Sequence, residues 1–265
     1  MSTAHRTDFR ERFLRREALL GTFIKTPTTH PIEILGSMGF DFVVIDEEHA
    51  PFDRVTIDNG LLAARAVGTA GFVRVAEPSP SKLLAVLDDG ATGVLVPHVS
   101  SVEKAKAVVS ACRYRGGSRG FSNSPRAGGY GAVSMWPHVD AQDKAVTVIA
   151  MIEDPEALDV IDGIVAVEGL DGVFVGRGDL SVAMGAESPN APSVQVATER
   201  IARAAVAAGK PVCVMVGSIA ETEGFRAMGA SAFIVSTDQG LMRQAAAKVV
   251  QEFSALPRTD SVAAR

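Results

Sequence analysis

Cysteine is scarce in this chain. Cys112 and Cys213 stand far apart, so they form neither a disulfide framework nor a CxxC pair, and a reduced, cytoplasmic setting is expected. Aromatic side chains that stack on bases are few, with one Trp and two Tyr. There is no basic tract, and the net charge of −5 comes from interspersed acids and bases. Nucleic acid is therefore not an expected partner. No apolar run approaches the ~20 residues needed to cross a bilayer. The N-terminal stretch MSTAHRTDFRERFLRRE is charged and lacks the apolar core of a signal peptide, so no membrane partner is expected either. No GxGxxG motif follows the first strand. Lysine is missing from the strand interiors: only Lys25 lies near a strand, while Lys82, Lys104, Lys106, Lys144, Lys210 and Lys248 fall on helices or loops. A Schiff-base lysine belongs within a barrel strand, which disfavours covalent carbonyl chemistry.

What the chain does have is alternation. Its 265 residues are 47% hydrophobic, enough for one large core. One domain over 1–265 is expected, with its core at about 15–255 and loose ends at roughly 1–10 and 257–265. Strand-like apolar runs lie at 21–25, 40–49, 71–77, 91–99, 146–152, 171–177, 211–217 and 231–237, each followed by a helical pattern. Eight such pairs in about 250 residues predict an α/β fold, the (β/α)8 barrel. A doubly wound open sheet is the runner-up. The stretch RGGSRGFSNSPRAGGYG, 115–131, is a long connection of the kind that usually carries function. Its Arg119 and Arg126 are either ordinary surface arginines or contacts for a substrate carboxylate.

Two runs carry the chemistry: TVIAMIED at 147–154 and DGVFVGRGDLS at 171–181. Each is apolar and ends in an acid, Glu153 and Asp179. In a parallel barrel the strand C-termini gather on one face, where ligands bind. Two acids at neighbouring strand ends suit a hard divalent cation such as Mg²⁺ or Mn²⁺; the plain alternative is two helix caps. His49 closes the second strand and could act as a general base. Asp46, three residues earlier, either fixes its tautomer or caps the loop. Arg74 interrupts an apolar strand, so it needs an anion, either a structural acid or a substrate. His98 reads as structural. The amides of Gly178 and Asp179 could cradle an anion.

Taken together, LGTFIK (20–25), FVVIDEEHAP (42–51), VRV (73–75), GVLVPHV (93–99), GSRGFS (117–122), MIED (151–154) and DGVFVGRGDLS resemble the HpcH/HpaI aldolase family, metal-dependent (class II) pyruvate aldolases. The resemblance spans roughly residues 15–255. It implies a (β/α)8 barrel assembled as a hexamer, with the last helix exchanged between subunits. It implies that Glu153 and Asp179 ligate Mg²⁺, Mn²⁺ or a similar ion such as Co²⁺. Pyruvate would rest its carboxylate on the amides of Gly178 and Asp179. Arg74 would stabilise the enolate, and His49 would support proton transfer. Asp88 would pair with that histidine across a subunit interface, because on its own chain it stands before a strand, at the far end of the barrel. One departure is Met151, where many relatives carry Gln. A thioether donates no hydrogen bond, although by the period of two Met151 still faces the substrate side with Glu153. The implied activity is reversible cleavage of 4-hydroxy-2-oxoacids to an aldehyde and pyruvate, or an analogue such as hydroxypyruvate, in sugar-acid or aromatic catabolism. Two alternatives are an acyl-CoA lyase of the citrate-lyase type, which asks for a basic surface for CoA phosphates, and a non-catalytic binding barrel.

Overall fold

The computed structural model describes residues 4–256. Eight parallel strands close into a barrel in sequence order, so the fold is a (β/α)8 barrel. The strands are β1 (Leu19–Ile24), β2 (Phe42–Asp46), β3 (Ala70–Arg74), β4 (Gly93–Val96), β5 (Thr147–Ile152), β6 (Gly172–Val175), β7 (Val212–Val216) and β8 (Ala230–Thr237). Among the described residues no helix is long and apolar enough to cross a membrane.

β2 to β6 are buried on both faces, and β1, β7 and β8 nearly so, which is why the strands read as apolar runs. In β2, Val43 and Ile45 join the layer under the helices. Phe42 and Val44 point into the barrel with Phe72, Leu95, Met151 and Phe174. The period of two then decides the top of the barrel. Asp46 continues the inward row of Phe42 and Val44, and Arg74 continues that of Ala70 and Phe72. The strand register sets Asp46 directly beside Arg74. Lower down, large rings face glycines. A Cβ on Gly21 would lie 2.3 Å from the Phe42 ring, and one on Gly93 would lie 2.4 Å from the Phe72 ring.

The helices start where the chemistry allows. α3 (Arg54–Val67) opens with a capping box between Asp53 and Thr56 and stops at Gly68, whose φ is +77°. α4 (Pro80–Asp88) is capped by Ser79 with a proline in its first turn. α2 (His30–Ser37) precedes them, and α5 (Val102–Cys112), α6 (Met135–Ala145), α7 (Ala157–Val165), α9 (Pro192–Ala207) and α10 (Ile219–Ala227) follow. α11 (Asp238–Ser254) ends the described chain; Asp238 is its one buried residue.

Several strands end sooner than expected, β2, β3 and β4 each by three residues, and two further differences matter more. Residues 1–10 are expected to be loose, yet Ala4–Leu14 is a helix, α1. Its Phe9 and Phe13 are buried, and Phe9 packs edge-on to Phe42 at 5.5 Å and to Phe72 at 4.9 Å. The correction has a physical cause: two phenylalanines one turn apart seal the bottom of the barrel, each contributing about 2 kcal/mol by burial. Strand β6 also ends sooner than expected. A short helix, α8 (Arg177–Ala183), begins at once, which places Asp179 in a first helical turn rather than at a strand end. The expectation for 257–265 lies outside the described residues.

Candidate active site

The mouth of the barrel is built around Asp46, which is 0% exposed. Arg74 donates to it twice, Nε to Oδ1 at 2.9 Å and Nη2 to Oδ2 at 2.7 Å. Lys25 Nζ lies 2.8 Å from Oδ2. The backbone N–H of His49 donates to Oδ1 at 3.2 Å. Burial alone would push this carboxyl up, but the bonds and charges of Arg74 and Lys25 outweigh it and hold it below its ordinary value. Of the two partners open to Arg74, then, the chain supplies a structural acid. Of the two readings of Asp46 and His49, the geometry shows the loop cap.

Arg74 is further fixed from two sides. Its guanidinium lies 4.7 Å from the Phe23 ring centre, and Nη1 is 3.3 Å from Glu48. Glu48 is a hub: His49 Nε2 is 3.6 Å from it and His98 Nε2 is 3.8 Å away. The His49 ring itself is exposed at the mouth. Glu47 turns outward to Lys82.

Across the mouth, Glu153 follows β5 and is 2% exposed. Its Oε1 accepts the backbone N–H of His98 at 2.8 Å. Burial pushes its carboxyl up to about 7; the His98 N–H and charge oppose this, while Asp179 and Glu48 add to it. His98 adopts φ +55°, unusual for a residue with a side chain. Its Nδ1 is 3.0 Å from Asp154 and 3.6 Å from Glu153. Burial lowers this imidazole, yet the Asp154 hydrogen bond and the charges of Glu153, Asp154 and Glu48 leave it raised overall.

Whether a divalent cation fits here can be judged from these contacts. The described residues contain no cluster of three or more His, Cys, Asp or Glu in metal-holding array. Mg²⁺, however, commonly takes one or two carboxylates and completes its shell with water and substrate. Glu153 is buried without a cation of its own beyond His98, and it feels the negative charge of Asp179. Gly176 makes the cradle: a Cβ there would lie 2.5 Å from Glu153 Cβ and 2.7 Å from Oε2. Glu153 and Asp179 therefore fit a hard cation. Next to them, Gly178 and Asp179 sit in the first turn of α8, where N–H groups have no intrahelical acceptor. The space above Gly178 is open.

The remaining candidates fall elsewhere. Met151 is buried in the inner layer beneath the mouth, a floor residue. Asp88, the last residue of α4, accepts from Arg119 Nη2 at 3.0 Å; this chain alone leaves it at the opposite end of the barrel from His49. Arg119 also stacks over Tyr114 at 4.5 Å. Arg126 pairs with Asp58. From the sequence alone, Glu48, Lys25 and His98 received no site role. Glu48 carried the one available signal, since it stands two residues past Asp46.

Comparisons with known proteins agree with this architecture. Residues 19–245 match the family described as HpcH/HpaI aldolase/citrate lyase. A 5-keto-4-deoxy-D-glucarate aldolase of Shigella dysenteriae is 34% identical over 247 residues, covering 92% of this chain and 96% of its own. The crystal structure of an HpcH/HpaI aldolase/citrate lyase family protein from Burkholderia cenocepacia superposes with a TM-score of 0.89 at 27% identity, over 94% of this chain and 100% of that one. A citrate synthase, SbnG, superposes with a TM-score of 0.84 at 29% identity, over 93% of this chain and 97% of its own.

Proposed function

Because the chain belongs to the HpcH/HpaI aldolase/citrate lyase family, we propose that it is a carbon–carbon lyase that cleaves and forms 4-hydroxy-2-oxoacids. The donor is pyruvate or a close analogue such as hydroxypyruvate, and the acceptor is an aldehyde. The name of its 34%-identical relatives points to a sugar-acid substrate. Glu153 and Asp179 would hold a divalent cation, Mg²⁺ or Mn²⁺ with Co²⁺ as a further option. The observation that carries the reading is a pair gathered at one mouth: an arginine locked by Asp46, and two strands away a buried glutamate without a full counter-charge.

A cation bound there supplies Lewis acidity to the 2-oxo group. The chain's own residues do the rest. The first-turn amides of Gly178 and Asp179 receive the donor carboxylate. Arg74 lies where negative charge develops on the enolate oxygen, and it is held in place before that charge appears. Met151 closes the floor beneath. As the C3–C4 bond breaks, its electron pair enters the enolate. The 4-hydroxyl proton passes to the ring of His49, which is exposed at the mouth with Nε2 turned to Glu48. The citrate synthase likeness keeps acyl-CoA chemistry as the second reading, which asks for a basic surface that the acid-rich mouth does not provide. A binding barrel without catalysis would not need an arginine and four acids at one mouth. In the test, pyruvate release from 4-hydroxy-2-oxoacids is followed with a coupled dehydrogenase. Turnover is expected to vanish with EDTA and return with Mn²⁺ or Mg²⁺. Inactivation by borohydride in the presence of pyruvate would reverse the reading, because it reports an imine.

A homo-oligomer, a hexamer with α11 exchanged, is part of this proposal. α11 presents Met242, Val249, Val250 and Phe253 to solvent, an apolar stripe at helical spacing that the other described residues leave uncovered. Asp88 would then approach His49 of a neighbour. Asp88→Asn is expected to slow turnover without loss of metal binding. Mixing Asp88→Asn with His49→Ala subunits should restore part of the activity, since one site of each mixed interface keeps both residues. A fully active monomer, or no recovery after proven subunit exchange, would remove the shared site.

A further inference from the structure

Arg74 meets more negative charge than it can neutralise. Asp46 takes two of its hydrogen bonds, and Glu48 lies 3.3 Å from its third nitrogen. These three side chains alone, one guanidinium and two carboxylates, sum to −1 where an enolate must be stabilised. In a site shielded from water that excess opposes the reaction. The chain corrects it with a second cation, Lys25, 2.8 Å from Asp46 Oδ2.

The placement of Lys25 is built, not incidental. It continues the inward row of β1, two residues beyond Phe23, whose ring carries the Arg74 guanidinium. Its backbone N–H donates to Asp238 Oδ1 at 2.8 Å, and the next N–H, of Thr26, donates to Oδ2 at 3.1 Å. Asp238 is buried and opens α11. A buried carboxylate thus clamps the turn from which the lysine reaches inward, and the lysine side chain is only 26% exposed. By contrast, Asp46 would keep three N–H donors without Lys25, two from Arg74 and one from His49. Holding Asp46 in place does not require the lysine; balancing its charge does.

We infer that Lys25 is a positioning residue for the donor half-reaction: its ammonium offsets the Asp46 charge, which leaves the charge of Arg74 for the enolate oxygen. The inference rests on the aldolase reading above. It separates Lys25 from an imine-forming lysine and from a direct contact to the donor carboxylate.

The test uses the Mn²⁺-loaded full-length enzyme and two ligands, pyruvate and oxalate, the latter a planar dianion shaped like the enolate. Binding is measured calorimetrically for wild type, Lys25→Met and Lys25→Arg, with thermal melting alongside. Lys25→Met should weaken oxalate about tenfold, less than the ~100-fold lost with a direct charge-stabilising donor, and should weaken pyruvate less than about twofold, because pyruvate lacks the second charge. Lys25→Arg should restore most of the oxalate affinity. Exchange of the pyruvate methyl protons in D2O should fall in parallel with oxalate binding. Equal weakening of both ligands, with or without a lower melting temperature, would overturn the inference and leave Lys25 as structure or as a carboxylate contact. Unchanged oxalate affinity would overturn it as well. Wild-type enzyme that binds neither ligand would instead defeat the aldolase reading, and this inference with it.

Discussion

Glu153→Gln is expected to abolish divalent-cation binding and to lower turnover on the order of a thousandfold, the upper range for one electrostatic group. Glutamine has nearly the same shape and keeps an oxygen to accept the His98 N–H, so the barrel should persist. What it loses is the charge. The same residue predicts a pH dependence with a definite sign. In the metal-free protein burial raises the Glu153 carboxyl from 4.5 to about 7, so the folded state holds a proton that the unfolded state releases. That stabilisation is complete below about 4.5 and is lost as pH rises through about 7. A cation needs the carboxylate, so proton and cation compete. Affinity should fall about tenfold for each pH unit below about 7. Calorimetric titration with Mn²⁺ across that range checks both effects. Above about pH 7, metal-free Glu153→Gln should melt higher than metal-free wild type. Wild-type Mn²⁺ affinity in the glutamine variant would remove Glu153 from the cation site.

Arg74→Ala is expected to lose at least ~100-fold in rate and to lower stability as well. Asp46 is 0% exposed and takes two of its hydrogen bonds from Arg74. Removing one partner of a buried ion pair costs about 3–5 kcal/mol. Lys25 and the His49 N–H remain, so the fold should survive with a lower melting temperature. Arg74→Lys separates stability from chemistry. It keeps a positive charge beside Asp46 but not the fork that grips Asp46 while a third nitrogen faces outward. Its stability should lie close to wild type, with the rate still reduced about 100-fold. Near-normal turnover in a folded variant of either kind would take Arg74 out of the mechanism.

Much of this architecture is legible in the sequence. The apolar runs announced eight buried strands, and a period of two carried from Phe42 to Asp46, from Phe72 to Arg74 and from Ile149 to Glu153 leads each polar group into the mouth. Local pattern misled where another influence won. Phe9 and Phe13 are set among arginines and glutamates, and their burial depends on a barrel floor formed by distant strands. In Gly176-Arg177-Gly178 the glycines hide a helix start. His98 reaches Glu153 and Asp154 only because its backbone takes a positive φ, which side-chain identity does not announce. The Asp88–Arg119 pair joins the end of α4 to the long connection 31 residues on, beyond the range of any periodic signal.

The helix α1 is the lower cover of a barrel whose interior its own side chains already fill. Phe9 lies against Phe42 and Phe72, and Phe13 fills the place of a side chain at Gly172, where a Cβ would come within 2.7 Å of its ring. Arg74 and Glu153 stand above that filled layer, and α1 keeps its lowest rings from water. A chain shortened past Leu14 would lose its stopper and expose rings that support the layer beneath the reacting groups. The first turns of this protein, charged and unpromising to the eye, are part of the vessel.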